Sequence, residues 1–284
     1  MTAIQTLLAG LFDYAGLYPP ASLSLRSAAN NYLDYARGNH AQALGRFIIN
    51  ADRVEELRSV AGQSLSQLKL SVIISDIADL DRIADEIRNG MPIETLEIKS
   101  GDSQVMKEMS ARVPHDVHLY IEMPPGPNNS ALLQAIADLH MRAKIRMGGV
   151  VAEAFPPSPN VARAMAKLAK LRLPFKATAG LHHPIRSCRP FTYEPHSPKG
   201  TMHGFINLLC AASVLYFGGQ TNDAEMVLLE EDASAWQIGK HELRWRRLEW
   251  TRDQLATIRR EFLTSIGSCS FVEPIHDLEV LGWL

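Results

Sequence analysis

The sequence is poor in cysteine, and its three residues, Cys188, Cys210 and Cys269, lie far apart. An odd, dispersed set excludes a disulfide framework and a CxxC metal knuckle, and it fits a reducing cytoplasm. Long apolar runs are also missing. The run "FINLLCAASVLYFGG" (205–219) falls short of the roughly 18 residues of a membrane span and reads as a buried helix. The opening "MTAIQTLLAGLFDYAGLYPP" has no positive residues before its apolar part, so it makes a poor secretory signal. Charge of one sign is lacking too. Lys and Arg number 29 against 31 Asp and Glu, a net charge of −2. No global field therefore draws nucleic acid or an anionic membrane. The basic cluster "LRWRRLEW" (243–250) has acids around it and reads as a solvated or packed amphipathic segment. Neither GxGxxG nor GxxxxGK[ST] follows an early apolar run, which removes the main sign of a nucleotide-binding open sheet.

What the chain does have is alternation. Of its 284 residues, 46% are hydrophobic, enough for a sizeable core. Short runs rich in Ile, Val, Leu and Phe recur, each followed by a segment with helical spacing. The apolar runs are "GRFIIN" (45–50), "LKLSVIIS" (68–75), "IETLEIKS" (93–100), "VHLYIEM" (117–123), "AKIRMGG" (143–149) and "PFKATAGL" (174–181). The expected helices between and after them cover 52–62, 76–90, 102–113, 128–141, 159–172 and 203–219. Asp76, Ser103 and Ser158 stand where helix caps are expected. Consecutive β–α units of this length imply a parallel sheet. Two further strands, within 7–14 and 265–274, would close it. The expected fold is a single-domain (β/α)8 barrel over residues 1–284, with an open doubly wound sheet as the alternative. The stretch 186–202, with Pro190, Pro195 and Pro198, is expected to be a loop over the site.

In such a barrel the chemistry sits at the C-terminal ends of the strands. Strands covered by helices should read almost wholly apolar, and an isolated charge in a dry core costs several kcal/mol or more. Here the late positions of successive strands are ionisable on one parity. Glu97 pairs in parity with Lys99, Tyr120 with Glu122, Lys144 with Arg146, and Lys176 with Thr178 and Gly180, while Asp13 ends the first strand. Convergence on one wet pocket is the expectation. Lys176 is the sharpest candidate. Beside Lys144 or Arg146 its ammonium form would be disfavoured, giving a neutral amine able to attack a carbonyl. Remaining charged, it would stabilise an enolate oxygen or bind an anion. Glu122 and one of His182 or His183 are expected to move protons. Lys99, Lys144, Arg146, Thr178, Arg186, His203 and Asp13 complete the expected substrate-binding set. His203 opens a helix whose dipole would favour its neutral form.

The run Lys176-Ala177-Thr178-Ala179-Gly180-Leu181 resembles the lysine-bearing strand of class I aldolases of the deoxyribose-phosphate aldolase kind. The resemblance implies a β/α barrel, a Schiff-base lysine at Lys176, and aldol cleavage or condensation. In that family a lysine strand with a Gly-Gly phosphate loop follows the Schiff-base strand, whereas the similar "KIRMGG" here precedes it. The expected function is thus a lyase of aldolase type on a small anionic, carbonyl-bearing metabolite, with no cofactor. One alternative is a divalent-metal isomerase, lyase or hydrolase. However, no HxH or HExxH spacing occurs, and the nearby lysines would repel a cation. The other alternative is a non-catalytic barrel that binds a ligand. A homo-oligomer is compatible with every one of these readings.

Overall fold

The computed structural model describes residues 1–126 and 129–284. In it the alternation closes on itself. Seven strands come in order: β1 (Phe12–Tyr14), β2 (Leu44–Asn50), β3 (Leu70–Ile73), β4 (Ile93–Ile98), β5 (His118–Met123), β6 (Arg142–Arg146) and β7 (Phe175–Thr178). An antiparallel ribbon follows, β8 (Ser187–Pro190) with β9 (Lys199–Met202), and then a three-stranded antiparallel sheet, β10 (Trp236–Ile238), β11 (Glu242–Trp245) and β12 (Leu248–Thr251). The last strand is β13 (Leu263–Ser268). β1 to β7 pair successively in parallel, and β13 lies between β7 and β1, which closes an eight-stranded (β/α)8 barrel. The open-sheet alternative is thereby set aside.

The strands are buried on both faces, one against helices and one toward the barrel interior. In β4, Leu96 and Ile98 face the helix layer, while Thr95 and Glu97 belong to the interior network. Helices cover the outside. Phe205–Tyr216 is buried from Phe205 through Leu215, because neighbouring helices pack on it from several sides. No described helix is long and apolar enough to cross a membrane.

Several expectations need correction. Residues 7–14 are not one strand. Ala3–Leu8 is a helix, capped by Thr2 and Gln5 reciprocally, and only Phe12–Tyr14 pairs in the barrel. The stretch 186–202 is not a plain loop but the β8–β9 ribbon, whose Phe191 is buried and stacks on Phe155 at 5.3 Å. The cluster 243–250 is amphipathic as expected, and takes the form of a hairpin. Leu243, Trp245 and Trp250 point inward, and Arg244 and Glu249 pair outside at 2.6 Å. The expected caps shift by a residue or more. Asp102, not Ser103, accepts the Gln104 and Val105 N–H groups, and Pro157 precedes the helix Ser158–Lys170. The helix after Asp76 begins only at Asp79. The expected helix start at Asn128 lies outside the described residues, and the helix is seen as Ser130–Asp138.

The loops after β6 and β7 touch through glycine. A Cβ on Gly180 would meet Phe155 at 2.6 Å and the Gly148 Cα at 2.9 Å, and Gly180 has φ +69°. Gly180→Ala is therefore expected to cost about 1–3 kcal/mol through crowding and backbone strain. A urea melt with an unshifted midpoint would contradict this close approach.

Candidate active site

The inner face of the barrel is crossed by a row of charges of alternating sign. Lys176 on β7 has no exposed surface. Its Nζ lies 2.5 Å from Asp13 Oδ2 and 2.7 Å from Glu97 Oε1. Glu97 Oε2 takes Lys144 Nζ at 2.6 Å, and Lys144 reaches Glu122 at 2.7 Å. Glu122 in turn meets Arg146 Nη1 at 3.4 Å. The parallel registers make this row local in space. Lys144 stands opposite both Glu122 and Lys176, and Asp13 opposite Gly267 on the strand between β1 and β7.

The remaining lone pairs of the buried carboxylates are also used. Ser265 Oγ donates to Asp13 at 2.7 Å, and the Arg46 N–H donates to its other oxygen at 2.8 Å. Ser71 donates to Glu97, and Thr95 donates to Ser71 at 2.6 Å. Lys176 also sits 5.5 Å from the centre of the Tyr120 ring. A buried ion pair is tolerated when its geometry is good and its other valences are met; Asp13 meets both conditions, and Glu97 Oε2 rests on its ion pair with Lys144 alone.

This arrangement reverses one expectation. Burial alone would push the Lys176 amine toward its neutral form, but Asp13 and Glu97 outweigh it and raise the pKa above the ordinary lysine value. Burial likewise pushes Glu97 up, and Lys144 and Lys176 overcome it, holding the carboxyl well below its usual range. Lys176 was expected to lose its charge beside Lys144 or Arg146, with a charged Lys176 as the alternative. Asp13 and Glu97, standing beside it, hold Lys176 as the ammonium instead.

Above the row lies a cavity of about 350 Å³ at the C-terminal mouth of the barrel. Lys144, Glu122 and Arg146 line it, with Thr178, Gly180 and His182 on one side and Ile48, Asn50 and Ile73 on another. Tyr18 also lines it and donates to Asn50 at 2.7 Å. Lys176 and Asp13 are not among the lining residues and form the layer beneath. A larger groove of about 620 Å³ lies on the outer helix layer, around Ala166, Tyr216 and Phe217. We assign the site to the smaller cavity, because the charged row opens there and the strand ends converge on it.

His182 comes to the mouth and His183 does not. His182 Nδ1 lies 3.3 Å from Glu273 and 3.9 Å from Cys269 Sγ. Burial opposes its charge, yet Cys269 and Glu273 raise its pKa to about 10. His183 turns away to Asp277 at 2.6 Å, and burial lowers its pKa against the pull of that carboxylate. Arg186 pairs with Glu231 at 3.1 Å in a separate groove. His203 donates from Nε2 to the Pro156 carbonyl at 2.7 Å. Its pKa is lowered by burial, and the helix that it was expected to open begins at Phe205. Lys99 is exposed beyond the end of β4, where strand parity no longer governs direction. His183, Arg186, His203 and Lys99 are thus outside the cavity. Among the described residues, no three His, Cys, Asp or Glu side chains are gathered as a ligand set for a metal.

Sequence reasoning passed over Asn50, Tyr18, Tyr193 and Glu273 as site residues. Asn50 carried a readable signal, since it is a polar residue ending the apolar run "GRFIIN". Tyr193 and Glu273 carried none, because a ribbon and a helix bring them to the mouth from distant segments.

Lys176→Met leaves Asp13 and Glu97 buried without their shared cation, and is expected to cost about 3–5 kcal/mol in denaturant unfolding. The row also sets the pH dependence. Glu97 has a lowered folded pKa, so its contribution is present above the ordinary value of about 4.3 and lost as pH falls. Lys176 has a raised one, so its contribution is present below about 10.4 and lost as pH rises. Glu97→Gln should flatten the acid limb of a stability–pH curve. An unchanged acid limb would contradict the pairing.

Compared with family models and with curated proteins, the chain matches none.

Proposed function

We propose that the protein is an enzyme acting on a small anionic, carbonyl-bearing metabolite, through an enolate held by Lys144. The observation that carries this reading is the position of Lys144. Its side chain is only 5% exposed, yet it lines the mouth cavity and is held between two carboxylates. A preorganised ammonium in a largely dry site stabilises developing negative charge far better than one in water. Arg146, with its side chain 53% exposed above Lys144, is placed to take the anionic group of the substrate in a bidentate grip. That contact competes with the Arg146–Glu122 pair. Glu122, relieved of one partner, then accepts the proton next to the carbonyl, and His182 at the rim returns one to the product.

Aldolase-type lyase chemistry fits this arrangement, since cleavage or formation of a C–C bond beside a carbonyl passes through the same enolate. The resemblance at 176–181 suggests a Schiff base at Lys176 instead. Asp13 and Glu97 favour the ammonium there, and the amine lies beneath the cavity. Lys176 is better read as the support that positions Glu97, and through it Lys144.

The test is deuterium exchange. Incubated in D2O with a panel of 2-oxo acids and sugar phosphates, the protein should wash out the C–H signal beside the carbonyl of at least one compound, followed by NMR. Lys144→Met should lower that rate by about 10²-fold or more. Exchange by the variant at the full rate would refute the role of Lys144. Binding of a compound by calorimetry with no exchange and no cleavage would favour a ligand-binding barrel.

A further inference from the structure

We propose that Cys269 and His182 form a nucleophilic pair in the same cavity, and that Cys269 adds reversibly to the carbonyl carbon of a small anionic aldehyde. This deepens the proposed function and rests on its carbonyl-bearing substrate.

Cys269 follows directly after the end of β13, where barrel chemistry is sited. It is 6% exposed, and what it does expose lines the cavity. Its Sγ lies 3.9 Å from His182 Nδ1 and 3.6 Å from the Tyr193 hydroxyl. The Tyr193 hydroxyl donates to Glu273 at 3.1 Å, and Glu273 also holds His182 Nδ1 at 3.3 Å. An imidazolium beside a carboxylate and a sulfur stabilises thiolate, which is the attacking species of cysteine. The other cysteines lack this setting. Cys188 is exposed on the ribbon, and Cys210 is fully buried in its helix, where burial raises its pKa. The charged and titratable groups around the pair are Glu273, Tyr193, Tyr14 and His183, with Glu122, Lys144 and Arg146 lining the same cavity.

The step balances without an oxidant or reductant. The thiolate sulfur forms a bond to the carbonyl carbon, and the π pair of the C=O bond moves to oxygen. That oxygen takes the proton from Nδ1 of His182, which leaves a thiohemiacetal and a neutral imidazole. Reversal restores the ion pair and the aldehyde.

The test uses the full chain carrying Cys188→Ser, with alkylation of Cys269 by iodoacetamide followed by mass spectrometry. At pH 7, Cys269 is expected to alkylate about tenfold faster or more than it does in a His182→Gln chain. Glyoxylate should protect Cys269 and release it on dilution, whereas glycolate, an anion of similar size without a carbonyl, should not. No effect of His182→Gln, or equal protection by glycolate, overturns the proposal. A reactive Cys269 with no deuterium exchange on any compound would fell the proposed function alone. Exchange with an inert Cys269 would fell the nucleophilic pair alone.

Discussion

Lys176 sits between Asp13 and Glu97 at 2.5 and 2.7 Å with no exposed surface, and most of the barrel interior follows from that placement. A lone ammonium there would be expelled or neutralised. Two carboxylates keep it charged, and each needs further partners. Ser265 and the Arg46 N–H meet Asp13, and Ser71 and Lys144 meet Glu97. The need for partners passes outward along the row until it reaches Arg146, where water is available. The cost of desolvation is thus met where the barrel is driest, and the adjustable charge is left at the mouth.

This division lets one end of the row be structural while the other, in the proposed function, takes part in chemistry. Toward Asp13, removing one partner strands its neighbour in a dry interior. Toward Arg146, the 3.4 Å contact with Glu122 is exposed enough for another anion to replace it. Lys144 stands at the border, fixed by the layer beneath and open to the cavity above. A rigid lower layer that holds an upper reactive group is how binding sites keep their geometry without sacrificing access.

Much of the architecture was legible, for a physical reason. Parallel strands covered on both faces read as apolar runs, so "GRFIIN", "LYIEM" and "AKIRMGG" stood out, and their late polar residues marked the interior. β1 was legible only in part. Three paired residues leave little periodicity, and the helix before it shares the same apolar composition. Pairing was not legible at all. Asp13 and Lys176 are separated by 163 positions, and nothing local says that an acid will stand between two lysines. The same limit applies to His182 and His183. Adjacent side chains point apart, and only the positions of Glu273 and Asp277 reveal which one turns to the mouth.

Phe155 links parts of the mouth that are remote in sequence. Its ring edge fills the space over Gly148 and Gly180, its face stacks on Phe191, and Phe191 in turn covers Gly200 of the ribbon. Two barrel loops and the ribbon therefore share one aromatic spacer. Lifting the ribbon would pull Phe191 off that plate and loosen the turns that follow Arg146 and Thr178. The ribbon and the two turns are thus coupled through a single ring, and a displacement of one is felt by the others.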